Sequence, residues 1–175
     1  MHPSCWLKWT LALGLVLLVA GTGAPTASAD TTLFYYDDVS TGGGGGAALA
    51  PVGYWTCHHT RYVTLFTNNT AQVVGSNGCN HNVQHMSGTV SLERPLGYVL
   101  SSASFDCPSC ATRTAAATPW HVDPGNYYFY RYNTTIELPY GNLWDTYPSW
   151  CTAYVDRLVC SSVISFYVPA QGGPS

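Results

Sequence analysis

Five histidines lie beyond residue 29: His58, His59, His81, His85 and His121. Cys79-Asn80-His81 and the His81-x-x-x-His85 spacing, taken with Cys107 and Cys110, offer enough nitrogen and sulfur for a zinc ion. A zinc ribbon needs a second Cys-x-x-Cys, which the chain lacks, and histidines four apart share a face only on a helix. This stretch has no helical period, so the histidines read as polar loop residues, and neither a metal nor a cofactor is expected. Cys107-Pro108-Ser109-Cys110 has the spacing of a redox pair. Such pairs depend on a helix N-terminus within a βαβ unit, and no such unit surrounds this one. A structural bridge is the expectation.

Catalytic motifs are equally scarce. There is no Gly-x-Ser-x-Gly elbow and no His-Glu-x-x-His. Glycoside hydrolysis needs two carboxyl groups about 5–9.5 Å apart, and nothing in the order of residues places any two together. Glu93 and Glu137, the only glutamates, sit in alternating segments that turn them to solvent. The sequence therefore favours a protein that acts by binding. A small secreted hydrolase using His121 or a carboxylate pair is the alternative.

Aromatic residues are the chemistry this chain has in excess. All 13 tyrosines lie beyond residue 29, with Trp55, Trp120, Trp144 and Trp150. Sugar rings present C–H faces that stack on aromatic rings, and uncharged polar side chains hydrogen-bond their hydroxyls. Extracellular glycan or cell-wall polysaccharide is thus the expected ligand class, with Trp120, Trp144, Trp150 and Tyr147 as the expected contacts because they fall near turns. Tyr128, Tyr130 and Tyr132 form a stripe at strand spacing whose other face carries Arg131, and they are expected in the core. A protein partner is the further alternative: a loop pinned between Cys107 and Cys110 would present a rigid, protease-inhibitor-like segment.

Charge narrows the partners. Charged residues make up only 9% of the chain, and after residue 29 there is no lysine, only five scattered arginines against nine carboxylates. Nucleic acid needs clustered cations to displace counterions, and an anionic membrane surface needs the same. Neither is expected.

The elements that must position these residues begin with a leader. Lys8 precedes an apolar run from Leu11 to Ala20, and Ala27-Ser28-Ala29 is a small-x-small cleavage pattern. Residues 1–29 read as a signal peptide, since the run falls short of the ~20 residues that span a bilayer. The product is secreted and extracellular, free of the membrane once the leader is removed. The leader takes Cys5 with it and leaves Cys57, Cys79, Cys107, Cys110, Cys151 and Cys160, an even set that implies three disulfides. Cys151 and Cys160 flank two short alternating runs about a turn at Val155-Asp156, which sets them opposite each other. Cys107–Cys110 and Cys57–Cys79 complete the expected set. Arginine without lysine, alongside abundant Ala, Gly and Thr, suggests a GC-rich bacterial source.

Short runs of Val, Ile, Thr, Tyr and Phe recur between Gly, Pro, Asn and Asp. Residues 30–46 read as an N-terminal strand followed by a flexible glycine segment, Gly42 to Gly46, and residues 47–175 as the disulfide-stapled domain. Turns are expected at Ser76-Asn77-Gly78, Asp123-Pro124-Gly125-Asn126 and Pro139-Tyr140-Gly141-Asn142. Thr134 to Leu138 should turn Ile136 and Leu138 inward. Eight to ten strands with turns between them predict an all-β fold, an antiparallel β-sandwich or small barrel stabilised by disulfides.

Overall fold

The computed structural model describes residues 31–44 and 54–170; the leader lies outside them. Nine strands form one antiparallel sheet: β1 (Thr31–Gly43), β2 (Trp55–Phe66), β3 (Thr70–Arg94), β4 (Tyr98–Ala116), β5 (Trp120–His121), β6 (Tyr127–Glu137), β7 (Trp144–Thr146), β8 (Cys151–Tyr154) and β9 (Arg157–Tyr167). Their order is β7-β1-β2-β3-β6-β9-β8, with β4 and β5 also paired to β3. Among the described residues no helix is long and apolar enough to cross a membrane. Among the described residues the only helical piece is one 3-10 turn, Pro95–Gly97, between β3 and β4.

The sheet curls nearly into a barrel because β3 serves it twice. Its first half pairs with β2 from Ala71 to Cys79, and its second half pairs with β6 from His85 to Glu93. Between Gly78 and Val83 the β3–β4 ladder shifts register, and the extra residues let the hairpin bend, as bulges do. The bend lays β6 over the first half of β3. There the Tyr130 hydroxyl donates to the Val74 carbonyl at 2.8 Å, and the Tyr132 hydroxyl donates to Asn77 Oδ1 at 2.5 Å. The expected tyrosine stripe is therefore core: Tyr128, Tyr130 and Tyr132 are all buried, as are Ile136 and Leu138.

The same packing explains why Ser76-Asn77-Gly78 is strand and not turn. Asn77 is fully buried, and its amide donates to Thr134 Oγ1 at 2.6 Å while its carbonyl accepts from Tyr132. Tertiary partners satisfy a side chain that would otherwise favour a turn. Gly75 is small for a related reason. A Cβ there would meet the Tyr132 ring at 2.5 Å and Val90 Cγ1 at 2.7 Å. Gly75→Ala is expected to lower stability by about 2 kcal/mol through overpacking, read as a lower urea midpoint.

The other two expected turns form. Gly125 and Gly141 hold positive φ, and Val155 (φ 52°) occupies the β8–β9 turn. Gly42 and Gly43, expected in a flexible segment, are sheet residues paired with Thr56 and Trp55, so β1 belongs to the same sheet as the rest. A Cβ on Gly43 would meet the Leu143 carbonyl at 2.7 Å, and the Gly44 amide donates to that carbonyl at 2.9 Å. Close backbone approach is what these glycines supply.

Two bridges form, Cys57–Cys79 and Cys151–Cys160, each joining residues directly opposite in a ladder. The third expected bridge does not: Cys107 and Cys110 are free thiols. Residues three apart on a regular strand face opposite ways, but Ser109 (φ 56°) kinks β4 and both cysteines turn inward. Each thiol then finds a backbone carbonyl, Cys107 Sγ that of Pro108 and Cys110 Sγ that of Cys107, both at 3.7 Å.

Candidate functional site

The four aromatics expected to contact ligand do not form one surface. Trp144 is 6% exposed, and its Nε1 donates to the Asp156 carbonyl at 3.1 Å, so it is a core residue. Trp150 is half-buried. The Arg61 guanidinium lies over its ring at 4.4 Å, and the rings of His59 and Tyr132 meet it edge-on. Tyr147 and Trp120 are exposed, Tyr147 just past β7 and Trp120 on β5 beside Ala71.

A site forms instead where the Asp123–Asn126 turn leads into β6. Its pocket, of about 390 Å³, is lined by Arg94, Pro95, Asp123, Asn126, Tyr127 and Tyr128. The turn is held at both sides, because the Gly125 amide donates to the Val168 carbonyl at 2.8 Å and the Val168 amide to the Asn126 carbonyl at 3.0 Å. Asp123 is the hub. Its carboxylate accepts from Arg94 Nη2 at 3.0 Å and lies 3.4 Å from His121 Nε2, while its amide donates to the Tyr128 hydroxyl at 2.7 Å. Tyr127 is 60% exposed, and its ring tilts against that of Tyr167, centroids 5.1 Å apart, across the β6–β9 pair. Sequence reasoning read Asp123 to Asn126 as a turn only. Alternation in the last strand turns Tyr167 outward, and what the sequence did not bring beside it is Tyr127, its register partner on β6.

A second depression, of about 490 Å³, crosses β4, β3, β6 and β9 farther along the same outer face. Ladder register sets Ser104, Thr89, Asn133 and Ser161 in one row and Asp106, Ser87, Thr135 and Val159 in the next. Apart from Val159, these are hydroxyls, an amide and one carboxylate. Asp106 meets His85 Nε2 at 2.6 Å.

Several groups have the composition of catalytic machinery without its geometry. His58 Nδ1 lies 3.2 Å from Ser40 Oγ and 3.6 Å from Asp38 Oδ1. Both contacts use one ring nitrogen, whereas a triad needs the carboxylate on one nitrogen to orient the ring while the other takes the serine proton. The free Cys110 thiol is a weak nucleophile, because burial and the neighbouring Cys107 push it up to about 11. Without a bridge, Cys107 to Cys110 is a kinked part of β4, not the pinned loop an inhibitor would present. Glu93, expected in solvent, is buried. Burial alone would raise its pKa, but bonds from Arg131 at 2.9 and 3.1 Å and from Ser91 at 2.6 Å outweigh that and lower it. No cluster of three or more metal-ligating groups occurs among the described residues.

The interior also holds His59, read from the sequence as a polar loop residue, and the Arg61 guanidinium. His59 is 0% exposed and Arg61 5%, on the β2 face that also carries Cys57 and Val63. His59 Nε2 meets Thr41 Oγ1 at 3.2 Å, and Arg61 reaches both Asp37 and Ser162. Comparison with protein-family models, with curated proteins and with solved structures finds no match to this chain.

Proposed function

We propose that this chain is a secreted, non-catalytic protein that binds a neutral extracellular glycan, with cell-wall polysaccharide as the leading ligand, at the Arg94–Asp123–Tyr127 pocket. The observation that carries the reading is the pairing of a compensated polar hub, Asp123 with Arg94, with an exposed aromatic platform, Tyr127 on Tyr167. A sugar ring stacks on the platform while Arg94, Asn126 and Asp123 exchange hydrogen bonds with its hydroxyls, the division of labour found in small-ligand sites. Export is supported by the leader pattern at residues 1–29 and by the two disulfides, which persist in oxidising compartments.

Retention on insoluble cellulose, chitin, xylan, mannan or peptidoglycan tests the reading. At least one is expected to hold the protein. Tyr127→Ala should weaken that binding about tenfold, equivalent to ~1.4 kcal/mol. Trp120→Ala, which removes an aromatic 48% exposed on β5, should weaken it less. Failure of every polysaccharide to retain the protein, or full retention of Tyr127→Ala, overturns the reading.

A further inference from the structure

We infer that the binding surface does not end at the pocket but runs the length of β6 to the hydroxyl-lined depression, so that the ligand is an extended, uncharged polysaccharide chain and not a chain end or single sugar. This rests on the glycan reading above. The outward positions of β6 and their β9 partners follow one another in register: Tyr127 with Tyr167, Phe129 with Ser165, Arg131 with Val163, Asn133 with Ser161, Thr135 with Val159. The eight steps from Tyr127 to Thr135 span about 26 Å at the rise of a strand, room for several sugar rings end to end. The character of the path grades from aromatic at one end to hydroxyl and amide at the other. Stacking thus anchors one end of a chain, and hydrogen bonding holds the rest.

Charge along this path argues for a neutral chain. Arg131 gives Nε and Nη2 to Glu93 at 2.9 and 3.1 Å, His85 lies 2.6 Å from Asp106, and Arg157 Nε lies 2.8 Å from Glu137. Each arginine on the path thus has a carboxylate of its own. A uronic-acid or phosphate polymer would meet a carboxylate beside every arginine it approached, whereas an uncharged sugar hydroxyl can accept from the guanidinium N–H groups that Arg131 leaves free after binding Glu93 without that repulsion.

Calorimetric titration with cello-, xylo-, manno- and chito-oligosaccharides of two and of six units tests the extension separately from the function. The six-unit form of the recognised series should bind at least tenfold tighter than the two-unit form. Thr89→Ala with Thr135→Ala, and separately Thr135→Arg, which fills the depression, should bring that ratio toward one. Tyr127→Ala should weaken both lengths. Equal affinity for two and six units overturns the extension and leaves the pocket standing, as does a ratio unmoved by both trench variants. Binding by none of the oligosaccharides overturns the extension, and retention on none of the insoluble polysaccharides overturns the glycan reading with it.

Discussion

Acidification from pH 7.5 to pH 5 is expected to remove about 2 kcal/mol of stability through His59 alone, and about 3 kcal/mol by pH 4. Burial is the main reason its pKa falls from 6.5 to about 4; the nearby Asn77 side chain opposes the fall, and the Arg61 charge adds to it. His58 and Asp38 act weakly and in opposite senses. The folded protein thus keeps this imidazole neutral at pH values where the unfolded chain takes up a proton. Below pH 6.5 the unfolded state gains that proton and the folded state does not, so stability falls until the folded pKa is reached, and it is fully present above 6.5. Urea unfolding of the wild type and of His59→Gln across this range gives the comparison, with a shallower slope expected for the variant. An imidazole resonance of His59 that titrates near 6.5 in the folded protein would refute the account without any variant.

Strand identity was legible wherever one face is apolar and the other polar. Thr134 to Leu138 and the Cys151–Cys160 hairpin could be read from alternation, because side-chain direction there follows the two-residue period alone. The interior of β2 could have been read the same way. Trp55, Cys57, Val63 and Leu65 occupy the odd positions of a single run, and continuity places His59 and Arg61 between them on the inward face. Histidine polarity suggested a loop at His58-His59, and that reading hid the buried cluster. What no pattern on one strand could reveal is which polar groups lie opposite. Asn77 reads as a turn residue and Ser162 as an ordinary strand residue, and only the fold of β3 over β6 and β9 makes them partners of Tyr132 and Arg61. The Asp123 site was half visible, since the turn residues announced themselves. Its ligand-facing character depends on Arg94, twenty-nine residues earlier, reaching the same carboxylate.

Arg61 gives the second large effect. Its guanidinium is almost wholly removed from water, stacked on Trp150, with Asp37 as its only carboxylate contact among the described residues and Ser162 as a neutral one. Removing one member of a buried ion pair leaves the other charge in a medium that solvates it poorly, at a cost of about 3 kcal/mol. Asp37→Asn should therefore destabilise by about that much, although Asp37 itself is partly exposed and its substitution nearly isosteric. Arg61→Met removes the buried charge, keeps a side chain of similar length beneath the Trp150 ring, and leaves Asp37 able to draw on solvent. It should cost less than Asp37→Asn. In the double variant the two losses should not add, because the penalty of the first arises from the group the second removes. Arg61→Lys, which keeps the charge and loses the planar stack, should fall below Arg61→Met. Urea midpoints of the four variants order these terms, and an Asp37→Asn protein within 0.5 kcal/mol of wild type would mean that water reaches Arg61 inside the barrel.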